Sequence, residues 1–180
     1  YENNETFTVQ LSSPSGAVIE DSATATVRIG DPGGRDRSFN APFINNNVAR
    51  VIVRPDGHIL IGGYFSVLQD ARRVLYNRGG IALLDASGAP DSSFGAGTGF
   101  FGQENARVLD IALLPDGKII AAGSFNAFNG GSQTNIIRLN ADGSTDPSFN
   151  VGAGPNGVVY DVLPLADGRI LIAGAFTSVN

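Results

Sequence analysis

The chain of 180 residues contains no cysteine, which excludes a disulfide framework and every thiolate-based metal or catalytic site. Its compartment stays open on that ground, because many secreted bacterial proteins also lack cysteine. Charge is sparse as well: only 16% of residues are charged, and seventeen acidic against twelve basic give a net charge of −5. No basic run occurs anywhere, so the electrostatic footprint of a nucleic-acid binder is missing. No stretch approaches the roughly 18 apolar residues of a membrane-spanning helix, and no membrane insertion is expected within this segment. Tyr1 opens the chain without a signal-peptide pattern, so the sequence reads as an excerpt of a longer protein. His58 is the single histidine. A catalytic triad holds a histidine between nucleophile and acid, and a transition-metal site usually takes more than one nitrogen or sulfur ligand. Neither can be assembled around His58, and the chain is not expected to be an enzyme.

What is present is apolar and rich in turns. Hydrophobic residues make up 42% of the chain, enough for a core, and glycine occupies 24 positions, a balance that suits short strands joined by tight turns. The tetrapeptides Asp36-Arg37-Ser38-Phe39, Asp91-Ser92-Ser93-Phe94 and Asp146-Pro147-Ser148-Phe149 recur at intervals of 55 residues. A second landmark, Asp-Gly at 56–57, 116–117 and 167–168, lies in each case 9 residues before a phenylalanine: Phe65, Phe125 and Phe176. The constant spacing marks hairpins. By contrast, the distances from Phe65 to Asp85 and from Phe125 to Asn140 are 20 and 15, so the loops between hairpins vary.

Within a repeat, residues 106–114 form a first strand. Pro115-Asp116-Gly117 presets a tight turn, and the chain returns as a second strand over 118–123. A third strand covers 135–140, and Ser148-Phe149 with its neighbours is expected to supply a short fourth. Ile59-Leu60-Ile61 and Ile170-Leu171-Ile172 are apolar at consecutive positions, as in a strand covered on both faces, which places Ile120 and Ile170 in the core. The fold class is therefore all-β: an incomplete β-propeller of about two and a half four-stranded blades. Known propellers close with about four to eight blades, so residues 36–180 are not expected to close a ring.

The run Leu114-Pro115-Asp116-Gly117-Lys118-Ile119-Ile120-Ala121-Ala122-Gly123-Ser124-Phe125, with Ile137-Arg138-Leu139-Asn140-Ala141-Asp142-Gly143 and Asp146-Pro147-Ser148-Phe149 after it, resembles the delta-60 repeats of bacterial β-propellers. The resemblance spans residues 36–180 and implies a large secreted or cell-surface protein. Upstream, residues 5–12 and 22–29 alternate polar and apolar residues, as in half-buried antiparallel strands. The string from Asn4 to Ala17, with Ala23-Thr24-Ala25-Thr26-Val27-Arg28-Ile29, resembles the end of a Calx-beta domain, an immunoglobulin-like β-sandwich. Residues 1–31 are then the last strands of such a sandwich, 32–35 a linker, and 36–180 the truncated propeller repeats.

Two groups of candidate site residues follow. The Calx-beta resemblance implies Ca²⁺ bound by the complete sandwich, with Asp31 as the metal ligand this segment contributes. Calcium takes six to eight oxygens, so Asp31 alone makes no site, and its alternative role is a cap in the linker. The longer loop over 66–77 gathers Arg72, Arg73 and Tyr76, a candidate ligand-binding cluster for glycans or other surface proteins, weighed against a solvated loop. Asn140, Asp142 and Asp146 around Gly143 read as turn residues, because no closing glutamate follows. Gly152-Ala153-Gly154-Pro155-Asn156-Gly157 matches a dinucleotide-binding pattern in letters only: a strand-like run follows where a helix is required. The expected role is a non-catalytic structural or adhesive module, with a ligand- or glycan-binding propeller as the alternative.

Overall fold

The computed structural model describes residues 39–101 and 106–179, together with the backbone of two strands over 5–10 and 24–29. The chain divides into two compact units, Tyr1–Arg37 and Ser38–Asn180. In the first unit, β1 (Glu5–Gln10) and β2 (Thr24–Ile29) pair antiparallel, with Phe7 opposite Val27 and Val9 opposite Ala25. The polar–apolar alternation of both segments is thus in phase across the pair.

The second unit is a series of small antiparallel sheets with no helix among the described residues. In chain order its strands are β3 (Phe43–Ile44), β4 (Asn47–Val53), β5 (Ile59–Tyr64), β6 (Val67–Gln69), β7 (Leu75–Asn77) and β8 (Ile81–Leu84). They continue as β9 (Phe100–Phe101), β10 (Arg107–Leu113), β11 (Ile119–Ser124), β12 (Ala127–Phe128), β13 (Gly131–Ser132) and β14 (Ile136–Leu139), then β15 (Val158–Pro164) and β16 (Ile170–Ala175). Three sheets are blades: β4-β5-β8, β10-β11-β14 and β15-β16. This is an incomplete β-propeller. Two further sheets, β3-β6-β7 and β13-β12-β9, form outside the blades from segments too short to stand out in the sequence.

The hairpins are where the Asp-Gly landmarks place them. In the first, the N–H of Gly57 donates to Arg54 O (2.9 Å) and that of Arg54 to His58 O (2.8 Å), with Gly57 at φ 85°. The Asp56 carboxylate accepts the N–H of His58 at 3.0 Å. Asp116 and Asp167 accept from Lys118 and Arg169 in the same way, both at 3.1 Å. Each blade then carries a bulge at the same rung, between Val48 and Arg50, Val108 and Asp110, and Val159 and Asp161. The bulge draws the first strand onto Gly63, Gly123 and Gly174, where a Cβ would collide with the carbonyl oxygens of Asn47, Arg107 and Val158. That close approach explains the glycine repeated in every second strand.

The fourth position of a blade is narrower than the sequence suggests. Pro90 bridges to Leu84 and Thr145 to Leu139, and the N–H groups of Asp91 and Asp146 donate to Leu83 O and Arg138 O. Beyond that rung the chain turns: the Asp146 carboxylate accepts the N–H of Ser148 (3.0 Å), and Phe149 N–H donates to Asp146 O. Residues 148–149 therefore leave the sheet rather than extend it. Phe94 instead reaches the next blade and packs against its turn at Gly143, while Phe149 lies beneath the Arg138 guanidinium at 4.8 Å.

Blades pack face to face. Leu60, Ile81 and Leu83 of the first meet Ile111, Ile119, Ala121, Ile137 and Leu139 of the second. On the other face of the second blade, Ile120, Ala122 and Ile136 meet Val159 and Val162, with Ile170 and Ile172 partly buried against them. Ile120 has no exposed surface, so Ile120→Ala is expected to cost about 2–5 kcal/mol in a denaturant titration. Asp146 supplies a second prediction. Its carboxylate accepts from Lys118 Nζ at 2.9 Å and from Arg138 Nε at 2.7 Å, with the Ser148 hydroxyl at 2.7 Å. The Lys118 bond, then those from Ser148 and Arg138, hold this acid far below the ordinary carboxylate range. The folded state thus binds the proton less readily than the unfolded chain, whose aspartates titrate near about pH 4. The stabilisation is complete above that range and declines as pH falls through it. Thermal melts between neutral pH and pH 3 are expected to show a smaller acid-induced loss for Asp146→Asn than for the parent chain.

Candidate functional site

A cleft of about 620 Å³ opens beside the junction of the first two blades. Phe65 and Phe100 line its apolar part, and Phe100 is fixed by ring contacts with Phe125 (4.4 Å) and Phe128 (4.7 Å). Asn45, Asn46, Ser66, Asn77 and Thr98 supply amide and hydroxyl groups, and the half-exposed rings of Tyr64 and Phe101 complete the wall.

Asn45 builds one side of this cleft. Its Oδ1 accepts the N–H groups of Ser66 (3.0 Å) and Val67 (3.1 Å), while its Nδ2 donates to the Ser66 hydroxyl at 2.9 Å. One amide thus satisfies three groups where β5 hands over to β6. Asn156 repeats the arrangement in the third blade, accepting from Thr177 and Ser178 and donating to Thr177 Oγ1. The corresponding Asn105 lies outside the described residues. Aligning the copies on their Asp-Gly turns would have revealed this asparagine, since it precedes the turn by 11 residues every time.

The candidate residues of the 66–77 loop do not line the cleft. Asp70 organises that loop: its Oδ1 accepts the N–H groups of Arg72 (2.9 Å) and Val74 (2.8 Å), and its main-chain oxygen accepts from Arg73, which sits at φ 66°. Tyr76 is half-buried against the core of the first blade and donates its hydroxyl to Asp70 Oδ2 at 3.3 Å. Burial, then the Asp70 charge, holds the phenol above its ordinary range, so it remains a donor. Arg72 and Arg73 are exposed at the loop tip. The structure therefore brings Tyr76 to Asp70 and leaves the two arginines on the surface. Asp31, the proposed calcium ligand, lies outside the described residues.

A second cleft of about 390 Å³, with Arg54, Asp56, His58 and Asp91 in its wall, lies by the turns of the first two blades. Arg54 donates to Ala141 O across the junction at 3.1 Å, and His58 stands 3.2 Å from Asp56 and 3.7 Å from Asp91. His58 and Lys118 occupy the same place in successive blades, each beside the aspartate of the Asp-x-Ser-Phe motif.

The polar group that sequence reasoning missed is Asp110. It is buried on the first strand of the middle blade, accepting Arg50 Nε of the preceding blade at 2.5 Å and the main-chain N–H of Val162 in the following blade at 2.9 Å. One carboxylate ties three blades together. No sequence periodicity advertises it, because the same rung carries Arg50, Asp110 and Asp161 in turn.

Comparison with known proteins agrees with this architecture. No curated protein and no solved structure matches the chain. A family model described as a β-propeller domain of unknown function, DUF5122, matches residues 54–94, 114–149 and 165–180, segments that begin at the Asp-Gly hairpins and run through the Asp-x-Ser-Phe motifs of the first two copies. With more than half of its length so matched, the chain belongs to the DUF5122 β-propeller family.

Proposed function

We propose that the chain is a non-catalytic structural or adhesive module of a secreted or cell-surface bacterial protein, with delta-60-type blades as a rigid display platform. The Calx-beta-like segment serves as its spacer, and Ca²⁺ binds the complete Calx-beta domain with Asp31 among the ligands. One observation carries the platform reading: the acidic side chains act as structural fasteners. Asp56, Asp85, Asp91, Asp116, Asp142, Asp146 and Asp167 each accept the N–H two residues ahead, and Asp110 joins blades. Hydrogen bonds to turns hold Asp56, Asp85, Asp142 and Asp167 below the ordinary carboxylate range, the state of acceptors that stay ionised.

On such a platform the variable element is the loop tip, and the Arg72-Arg73 tip is the displayed one. Arg72→Ala combined with Arg73→Gly, which keeps Asp70 and its hydrogen bond from Tyr76 and suits the left-handed conformation at Arg73, is expected to change unfolding free energy by less than about 0.5 kcal/mol. It should remove binding to surface proteins or glycans made through that tip. A loss above about 1 kcal/mol would show that the loop holds the blade instead.

A second reading, a glycan-binding propeller with its site in the larger cleft, is favoured by the chemistry of the wall. Half-exposed Tyr64 and Phe101 stand among the amide and hydroxyl groups of Asn46, Asn77 and Thr98, and apolar ring surface edged by hydrogen-bonding groups suits a sugar ring. On a glycan array, this reading expects binding that Tyr64→Ala lowers at least about tenfold and that survives the Arg72→Ala and Arg73→Gly substitutions; a Tyr64→Ala signal equal to the parent's refutes it.

A further inference from the structure

An asparagine followed by glycine is open to attack by its own backbone, because glycine is conformationally free and sets no Cβ beside the attacking nitrogen. The sequence has two such pairs, Asn129-Gly130 and Asn156-Gly157, and the structure holds them in opposite ways. Asn156 closes the strand crossing of the third blade. Its Oδ1 accepts the N–H groups of Thr177 (2.8 Å) and Ser178 (3.2 Å), and its Nδ2 donates to Thr177 Oγ1 at 2.9 Å. Gly157 is pressed against the neighbouring strand, where a Cβ would stand 2.0 Å from Ala175 O. Three hydrogen bonds have to break, and a packed backbone has to move, before the Asn156 carboxamide turns onto the Gly157 nitrogen.

Asn129 and Gly130 are instead the two residues of the turn between β12 and β13, at φ 48° and 84°, and both are exposed. The hydrogen bonds to the Asn129 carboxamide are long: Oδ1 lies 3.4 Å from the main-chain nitrogen of Thr98 and 3.5 Å from Thr98 Oγ1. Gly130 is open, with no atom within 4 Å of the place a Cβ would take. Ring closure onto Cγ rotates the peptide between the two residues out of the left-handed turn. The hairpin beneath has two rungs, Ala127 with Ser132 and Phe128 with Gly131, so its tip opens at little cost.

We propose that Asn129 is a site of spontaneous deamidation in the folded protein and that Asn156 is protected from it. The deprotonated main-chain nitrogen of Gly130 attacks Asn129 Cγ, the bond from Cγ to Nδ2 breaks, and Nδ2 leaves as ammonia after taking a proton from water. The succinimide so formed adds water at one of its two carbonyls. Addition at Cγ returns an ordinary main chain with aspartate at 129; addition at the main-chain carbonyl leaves an isoaspartyl link that lengthens the main chain by one carbon. One water enters and one ammonia leaves, with no oxidant or reductant. Either product brings a carboxylate to the turn beside Thr98, a residue in the wall of the larger cleft.

Peptide mapping by mass spectrometry of the 180-residue chain, aged in mildly alkaline buffer, tests this. The two pairs fall on separate tryptic peptides, 119–138 and 139–169. In the folded chain, amide-to-acid conversion at Asn129, placed by fragmentation, is expected to run at least about tenfold faster than at Asn156. The same incubation in guanidinium chloride is expected to bring the two rates together, because the protection of Asn156 belongs to the fold. Equal rates in the folded chain, conversion at Asn156 first, survival of Asn129 in the folded chain while the denatured chain converts, or a difference that persists in guanidinium chloride would each overturn the proposal.

Discussion

Every blade is apolar on both faces, and the rest of the structure answers that constraint. In β5 the adjacent residues Leu60 and Ile61 point to opposite sides of the sheet and enter different clusters, as do Ile119 and Ile120 in β11. A sheet of this kind cannot be half solvated like an ordinary antiparallel layer, so it needs a neighbour before and a neighbour after. Stability is then a sum over junctions along a line of blades, and the middle blade, with both junctions made, holds the most completely buried set of side chains.

Against that apolar stacking, polar groups set geometry. The repeated asparagine at Asn45 and Asn156 closes a strand crossing by satisfying three groups with one amide. Asn135, buried and at φ 60°, accepts from Phe125 within its own blade and donates to Pro155 O in the approach to the next. Asp110, on the first strand of the middle blade, accepts from Arg50 of the preceding blade and from the N–H of Val162 in the following one. Apolar faces of Leu and Ile would tolerate sliding past one another; these directional bonds fix the register in which they meet.

The sequence made the hairpins legible because their chemistry is local: an aspartate two residues before an N–H, then a glycine in a left-handed conformation. The core was legible for the same reason, as Ile120 shows, since a run of consecutive apolar residues states that both faces are covered. The small sheets beside the blades were not. Phe100-Phe101 and Ala127-Phe128 are two-residue strands, and pairing across 26 residues leaves no periodic trace. In the loop cluster Arg72 and Arg73 are exposed, whereas Tyr76 is held by Asp70, a residue whose role emerges only once the loop is folded. Asp110 was illegible outright, because its partners sit on two other blades and its equivalents differ.

The identical ladder, with its bulge and its Asp-Gly turn, is separated from the next by connections that vary in length without disturbing it. A genetic duplication or deletion of one repeat therefore delivers a blade whose apolar rungs already fit its new neighbours, while the buried Asp110, whose partners do not repeat, has to be paired anew. Recombination can therefore change blade number while the apolar rungs stay intact, and the junction that Asp110 fastens is the one that has to be rebuilt.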